Sequence, residues 1–328
     1  MNSTNSGNLC SADYNGMLAP ILPMRFKAII WYQGESNTDS FQGTLGGPAN
    51  YACRMRAAVQ DWRQKLSSPE LPFFNVELAA CNNYPDVKDN AITWAPIRQA
   101  SRSFLSLPGP SGFITAIDVG KSGGAVHSNV KQPDGRRMAL QLLKKVYGQA
   151  VTADGPTLAA GGASVSGGTV SLPFQDAENL HTEAVSAATA GCAVSPFELG
   201  WPSGKWTRAA PTIKGTTVVL TVPAGISKSE LGAGGPTEVR YAWEGFPQCV
   251  LYSGEGGYDN ATALPAAPFR VAIAACGAGQ TRCQLGAVGI GADKAAAQCC
   301  GNAEVCVPHG GCQAAEPKQV EVLLQAGI

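Results

Sequence analysis

The sequence predicts an α/β domain of three layers (α/β/α) built on a parallel sheet, then an all-β sandwich domain and a Cys-rich tail. Three observations carry that expectation. Apolar runs alternate with amphipathic helical spacing up to Gly148, and short β-branched and alternating runs replace that rhythm beyond it. Cys276, Cys283, Cys299, Cys300, Cys306 and Cys312 then crowd into the last segment. The expected domains are 1–150, 151–270 and 271–328.

Residues 26–32 (FKAIIWY) form a short apolar, aromatic and β-branched run, the mark of a buried strand. Tyr51, Met55, Val59, Trp62 and Leu66 recur every three to four residues over 49–66, the stripe of an amphipathic helix. Residues 72–79 (PFFNVELA) give a second strand. Trp94, Ile97, Ser101 and Phe104 keep helical spacing over 94–107, with Pro96 marking the first turn. A third strand follows at 112–119 (GFITAIDV) and a third helix at 134–147, closed by Gly148. Strands alternating with helices imply a parallel sheet covered on both faces. Beyond residue 151, 216–222 (TTVVLTV) is β-branched, and 237–244 (TEVRYAWE) sets Val239, Tyr241 and Trp243 on one face.

Composition narrows the function. Lys plus Arg equal Asp plus Glu at 24 each, so the net charge is zero and the basic excess that a nucleic-acid partner demands is missing. No apolar run reaches the ~18–20 residues of a membrane span. Residues 1–15 show neither a basic start nor an apolar stretch, so no secretory signal is read there. The 11 cysteines nevertheless point to an oxidising compartment, and Asn2 and Asn260 stand in Asn-x-Thr sequons compatible with export. In the tail, disulfides are the expected state; Cys306, His309 and Cys312 are also spaced as zinc ligands could be.

Open parallel sheets bind ligands beyond the carboxyl ends of their strands. The first strand runs out into Gln33, Gly34, Glu35, Ser36 and Asn37, the second ends at Asn82, and the third ends at Asp118 with His127 in the loop that follows. The topology thus directs Gln33, Glu35, Asn82, Asp118 and His127 to one rim. No glycine-rich phosphate loop leads from these strands into a helix, so no nucleotide cofactor is expected. Of the histidines, His127, His181 and His309, only His127 follows a strand end of the parallel sheet, which makes it the candidate imidazole base.

The run YNGMLAPILP…FKAIIWYQGESN, then YACRMRAAVQDWR, PFFNVELA, WAPIRQA and AIDVG…VHSNVK, resembles sialate O-acetylesterases of the serine-dependent SGNH hydrolase superfamily. RYAWEGFPQCVLY and ALPAAPFR resemble that family's later β region, so the likeness extends over about 12–270 and leaves out the tail. It implies a carbohydrate ester hydrolase that removes O-acetyl groups from sialic acid or related sugars through an acyl-enzyme, without cofactor or metal. His127 matches the family's histidine, which takes the proton of a serine and returns it to the leaving alcohol. Gln33 and Gly34 match the segment lining the oxyanion hole, Glu35 a loop buttress, and Asp118 a residue that orients or anchors the histidine loop.

Two departures stand out. Val126-His127-Ser128 replaces the usual Ile-His-Pro, and Gly124 occupies the place where such hydrolases commonly carry Asp three residues before the histidine. No serine block is found in MNSTNSGNLCSADYNGM, so the nucleophile is not identified in the chain and is expected upstream, as though the α/β domain were partial. Ser36 lacks the final glycine of a nucleophile elbow, and Cys81 reads as a buried structural thiol. The competing readings are a non-catalytic carbohydrate-binding remnant and a fragment that does not fold alone. The relatives imply an extracellular or lysosome- or vacuole-like setting.

Overall fold

The computed structural model describes residues 13–38, 47–81, 94–120, 126–166, 168–185, 192–224, 235–257 and 262–274, and the strand backbones of 280–283, 298–301, 304–306 and 312–314. Three parallel strands, β1 (Ile29–Trp31), β2 (Phe73–Glu77) and β3 (Ser111–Thr115), lie in the order β1-β2-β3. They alternate with α1 (Pro48–Lys65), α2 (Trp94–Ala100) and α3 (Gln132–Lys145). The strand period of two sends alternate side chains of β2 to opposite layers. Phe73 joins Tyr51, Met55, Val59, Ile97 and Phe104 under α1 and α2, whereas Phe74 and Val76 join Ile114 and Met138 under α3.

Each element differs from its sequence-based bounds for a local reason. The central strand β2 is buried along its whole length, yet its ladder stops at Glu77 because the Leu78 and Ala79 carbonyls accept side-chain donors from α2. Beyond β3 the chain turns, with Val119 N–H donating to Ala116 O. The helix starting at Trp94 ends at Ala100, where Ser101 Oγ donates to the Arg98 carbonyl, and a separate 3-10 turn covers Ser103–Ser106. α3 begins at Gln132, because Pro133 suits the first turn of a helix, where no N–H bond is lost. β1 is the shortest of the three and pairs only with β2 among the described residues. Its Ile30 is 52% exposed, and nearby in the chain Met24 is 55% exposed.

The later region is β throughout. A nine-stranded sheet runs in the order β10-β11-β6-β5-β15-β12-β8-β9, with β4 added beside β6. Its members are β4 (Thr157–Leu158), β5 (Ala163–Ser166), β6 (Thr169–Gln175), β8 (Phe197–Gly200), β9 (Trp206–Arg208), β10 (Pro211–Lys214), β11 (Thr217–Thr221), β12 (Glu238–Tyr241) and β15 (Phe269–Ala274). All pairs in it are antiparallel except β15 with β5, so the sheet is mixed. A second sheet joins β14 (Leu264–Pro265), β13 (Cys249–Ser253) and β7 (His181–Ala184). Both sheets feed one apolar core: Val170, Leu172, Val218, Leu220, Val239 and Tyr241 from the first meet Val250, Leu251 and Tyr252 from the second. Leu251 N–H donates to Tyr241 Oη at 2.7 Å across them.

That core also takes in Ala80 and Ile117, from beyond β2 and β3, so the ends of the parallel strands pack directly on the β region. A disulfide joins Cys192 to Cys249, while the thiol of Cys53 is exposed and that of Cys81 buried, both outside that bond. In the tail, β16 (Gln280–Cys283) pairs with β17 (Gln298–Gly301), and β18 (Glu304–Cys306) with β19 (Cys312–Ala314). The sulfur pairing expected there, the zinc alternative at His309 and both sequons lie outside the described side chains. No helix among the described residues is long and apolar enough to cross a membrane.

Candidate functional site

At the end of β1 the chain turns sharply through Gly34, whose φ of +149° few side chains adopt. A Cβ there would sit 3.1 Å from Tyr51 Oη and 3.2 Å from Ile97 Cγ2, so the backbone is pressed against α1 and α2. Tyr51 Oη donates to the Gln33 carbonyl at 2.6 Å, and Gln33 Nε2 donates to Asn37 Oδ1 at 2.7 Å. Burial pushes the Tyr51 hydroxyl up to about 12, so it remains a donor at physiological pH. Glu35–Asn37 form one 3-10 turn, and Thr38 Oγ1 donates to the Glu35 carbonyl at 3.1 Å. Gly47 N–H closes the far side on Asn37 O at 3.0 Å. Gln33, Gly34 and Glu35 therefore share one braced loop, and Ser36 is half-buried within its turn.

The end of β2 is held by Arg98, a fully buried residue of α2. Its guanidinium donates to the carbonyls of Leu78 (2.8 Å), Ala79 (3.0 Å), Glu244 (2.8 Å) and Gly245 (2.8 Å). Burial lowers its pKa to about 10, which still leaves a cation at neutral pH. Trp94 Nε1 adds a bond to Ala79 O at 3.0 Å, and Cys81 N–H reaches Gly245 O at 3.0 Å. Asn82, the next residue, lies outside the described residues.

Past the end of β3, Asp118 is buried, and both of its oxygens are engaged. Arg137 of α3 grips them bidentately at 2.7 and 2.5 Å and also donates to Thr115 O, and Tyr252 Oη donates to Asp118 Oδ2 at 2.8 Å. Burial opposes the charge on Arg137, and Asp118 outweighs that opposition, holding the guanidinium protonated. The histidine loop meets this strand end one residue further on, where Ser128 Oγ donates to the Val119 carbonyl and accepts from Val130 N–H at 3.1 Å.

His127 is exposed, and its ring makes no hydrogen bond to another described residue. Its neighbour Val126 packs on the same apolar cluster as Tyr51 and Ile97, the two side chains that enclose Gly34. The loops bearing Gln33 and His127 thus rest on one patch of core, above strand ends that are clamped by salt bridges and carbonyl bonds. His181 belongs elsewhere: its two ring nitrogens face the carbonyls of Asn179 and Gly256 in the β region.

The residues that brace the rim were not singled out from the sequence. Arg98 lies in the WAPIRQA run, and a lone arginine on an otherwise apolar helix stripe is the available signal for it. Tyr51 read only as core, and Tyr252 has no local signal, since its partner is 134 residues away.

Residues 12–144 match a family described as carbohydrate esterase, sialic acid-specific acetylesterase. Sialate O-acetylesterase from Mus musculus is 26% identical over 281 residues, covering 78% of this chain and 46% of the relative. The enzyme of that name from Homo sapiens is 25% identical over 284 residues, covering 78% and 48%. Among solved structures, a carbohydrate acetylesterase from Xanthomonas citri superposes with a TM-score of 0.60 at 28% identity, over 79% of this chain and 53% of that one. The chain is therefore similar to sialate O-acetylesterases in sequence and to a carbohydrate acetylesterase in fold, and it spans about half the length of the curated relatives it matches.

Proposed function

We propose, taking this kinship with carbohydrate esterases as premise, that the chain is the histidine-bearing part of an enzyme that removes O-acetyl groups from sialic acid or related sugars. His127 acts as general base and then general acid toward a serine, and an acyl-enzyme carries the acetyl group between the two steps. Gln33 and Gly34 line the oxyanion site, with Asn82 on the same rim, Glu35 bracing the loop, and Asp118 anchoring the strand end from which the histidine loop springs. The serine is supplied by chain upstream of residue 1, on a strand and helix that add to the open edge of β1. No metal or cofactor takes part, and the expected setting is extracellular or lysosome-like.

The observation that carries this reading is the pairing of loops. The Gln33–Gly34 turn, braced by Tyr51, and the exposed His127 beside Val126 share one apolar footing at the strand ends. The half-exposed Ile30 and the unpaired outer edge of β1 among the described residues support a missing neighbour there.

The test is acetate release from O-acetylated sialic acid by the chain joined to its upstream coding sequence. His127→Ala is expected to lower turnover by about 10²–10⁴-fold, the usual worth of a general base. The 328-residue form by itself is expected to give no turnover. Unchanged activity in the variant contradicts the role of His127, and turnover by the short form contradicts an upstream serine.

A further inference from the structure

Asp134, in the first turn of α3, is a buried carboxyl that the site described above does not use. The residue is 5% exposed, and among the described residues neither oxygen has a hydrogen-bond partner. An acid at this position of a helix commonly reaches back to cap the N-terminus, but the cap residue Lys131 receives no side-chain bond. The charged groups facing it come from three elements. On its own helix and cap stand Arg137 and Lys131; from beyond β3 comes Asp118; from the end of β1 comes Tyr32.

Both cations make their hydrogen bonds to other groups, and Arg137 Nε has no partner among the described residues. Arg137 is bound to Asp118 and to Thr115 O, and Lys131 Nζ lies 3.2 Å from Tyr32 Oη and 4.3 Å from its ring centre. A carboxylate here is buried, without a hydrogen bond among the described residues, and close to the charge of Asp118; a neutral acid avoids most of that cost.

We propose that Asp134 is a proton-binding site at the foot of α3, seated there as the neutral acid, so that the folded chain is more stable in an acidic medium than above neutrality. Burial is the main cause of its elevation to about 7, helped by Asp118 and opposed by Arg137 and Lys131. The sign follows from linkage. A carboxyl whose folded pKa lies above its unfolded one binds protons more tightly when folded. Its stabilising share is complete below the unfolded value near 3.8, falls as pH rises, and is gone above about 7. The proposal concerns stability and stands whether or not the chain hydrolyses esters.

The test is a carbon-13 titration of the Asp134 carboxyl in the 328-residue chain, assigned by its loss in Asp134→Asn, with melting temperatures over pH 4–8. The expected midpoint is near 7, and Lys131→Met, which removes a cation favouring the charged form, is expected to move it higher. Asp134→Asn is expected to melt with wild type at pH 4 and a few degrees above it at pH 8. A midpoint near 4, or parallel melting curves, overturns the proposal. Should the Asn variant fail to fold, the signal is assigned by triple-resonance correlation, and the wild-type and Lys131→Met titrations decide alone.

Discussion

At residue scale, two groups near the rim carry more than their size. Gly34 combines a φ of +149° with a Tyr51 hydroxyl only 3.1 Å from where a Cβ would stand. Gly34→Ala is expected to strain the loop by about 1–3 kcal/mol and to weaken the Tyr51 bond to the Gln33 carbonyl. A lowered urea midpoint with an unchanged slope checks it. Asp118 neutralises a guanidinium that is itself almost wholly buried. Asp118→Asn leaves that cation without its counter-charge, and a loss of about 3–5 kcal/mol is expected in the same measurement. The position of Asp118 at a strand end was legible in the sequence. Its partners were not, because Arg137 lies 19 residues on and Tyr252 134, and only the packing of α3 and β13 around the strand end brings the three together.

At element scale, the α/β alternation was legible because each strand and helix announces itself by period: Phe73, Phe74 and Val76 as a run, Tyr51, Met55 and Val59 every few residues. Boundaries were less so, since they depend on where side chains intercept backbone bonds. β2 stops where Arg98 and Trp94 take its carbonyls, and α2 stops where Ser101 folds back onto Arg98 O. Arg98 therefore joins helix, strand end and β region in one side chain. Arg98→Leu fills similar space yet removes the Arg98 bonds to four carbonyls, of which those of Ala79 and Gly245 keep a second donor in Trp94 Nε1 and Cys81 N–H, and a cost on the order of 3–5 kcal/mol is expected by chemical denaturation. The accompanying loss of packing at Glu244 and Gly245 is checked by faster amide exchange at Cys81, whose N–H is held by Gly245 O.

At the scale of the whole molecule, the ends of the parallel strands and the β region share a core through Ala80 and Ile117. The disulfide between Cys192 and Cys249, 57 residues apart, ties the chain before β8 to β13, the strand that also presents Tyr252 to Asp118. Cysteine count alone drew attention to the tail, and no spacing rule pairs two such distant residues. Cys192→Ser with Cys249→Ser is expected to lower stability by about 2–4 kcal/mol, read as a fall in melting temperature that reductant no longer deepens.

Whether the Gln33 and His127 loops work on one bond is tested most directly by a double-mutant cycle on acetyl release in the extended protein. Members of one catalytic unit lose little more together than the worse of them loses alone. Gln33→Ala added to His127→Ala is expected to cost less than about tenfold beyond the histidine variant, although Gln33→Ala alone costs about 10²-fold or more. Full multiplication of the two losses would contradict a shared crevice at these strand ends.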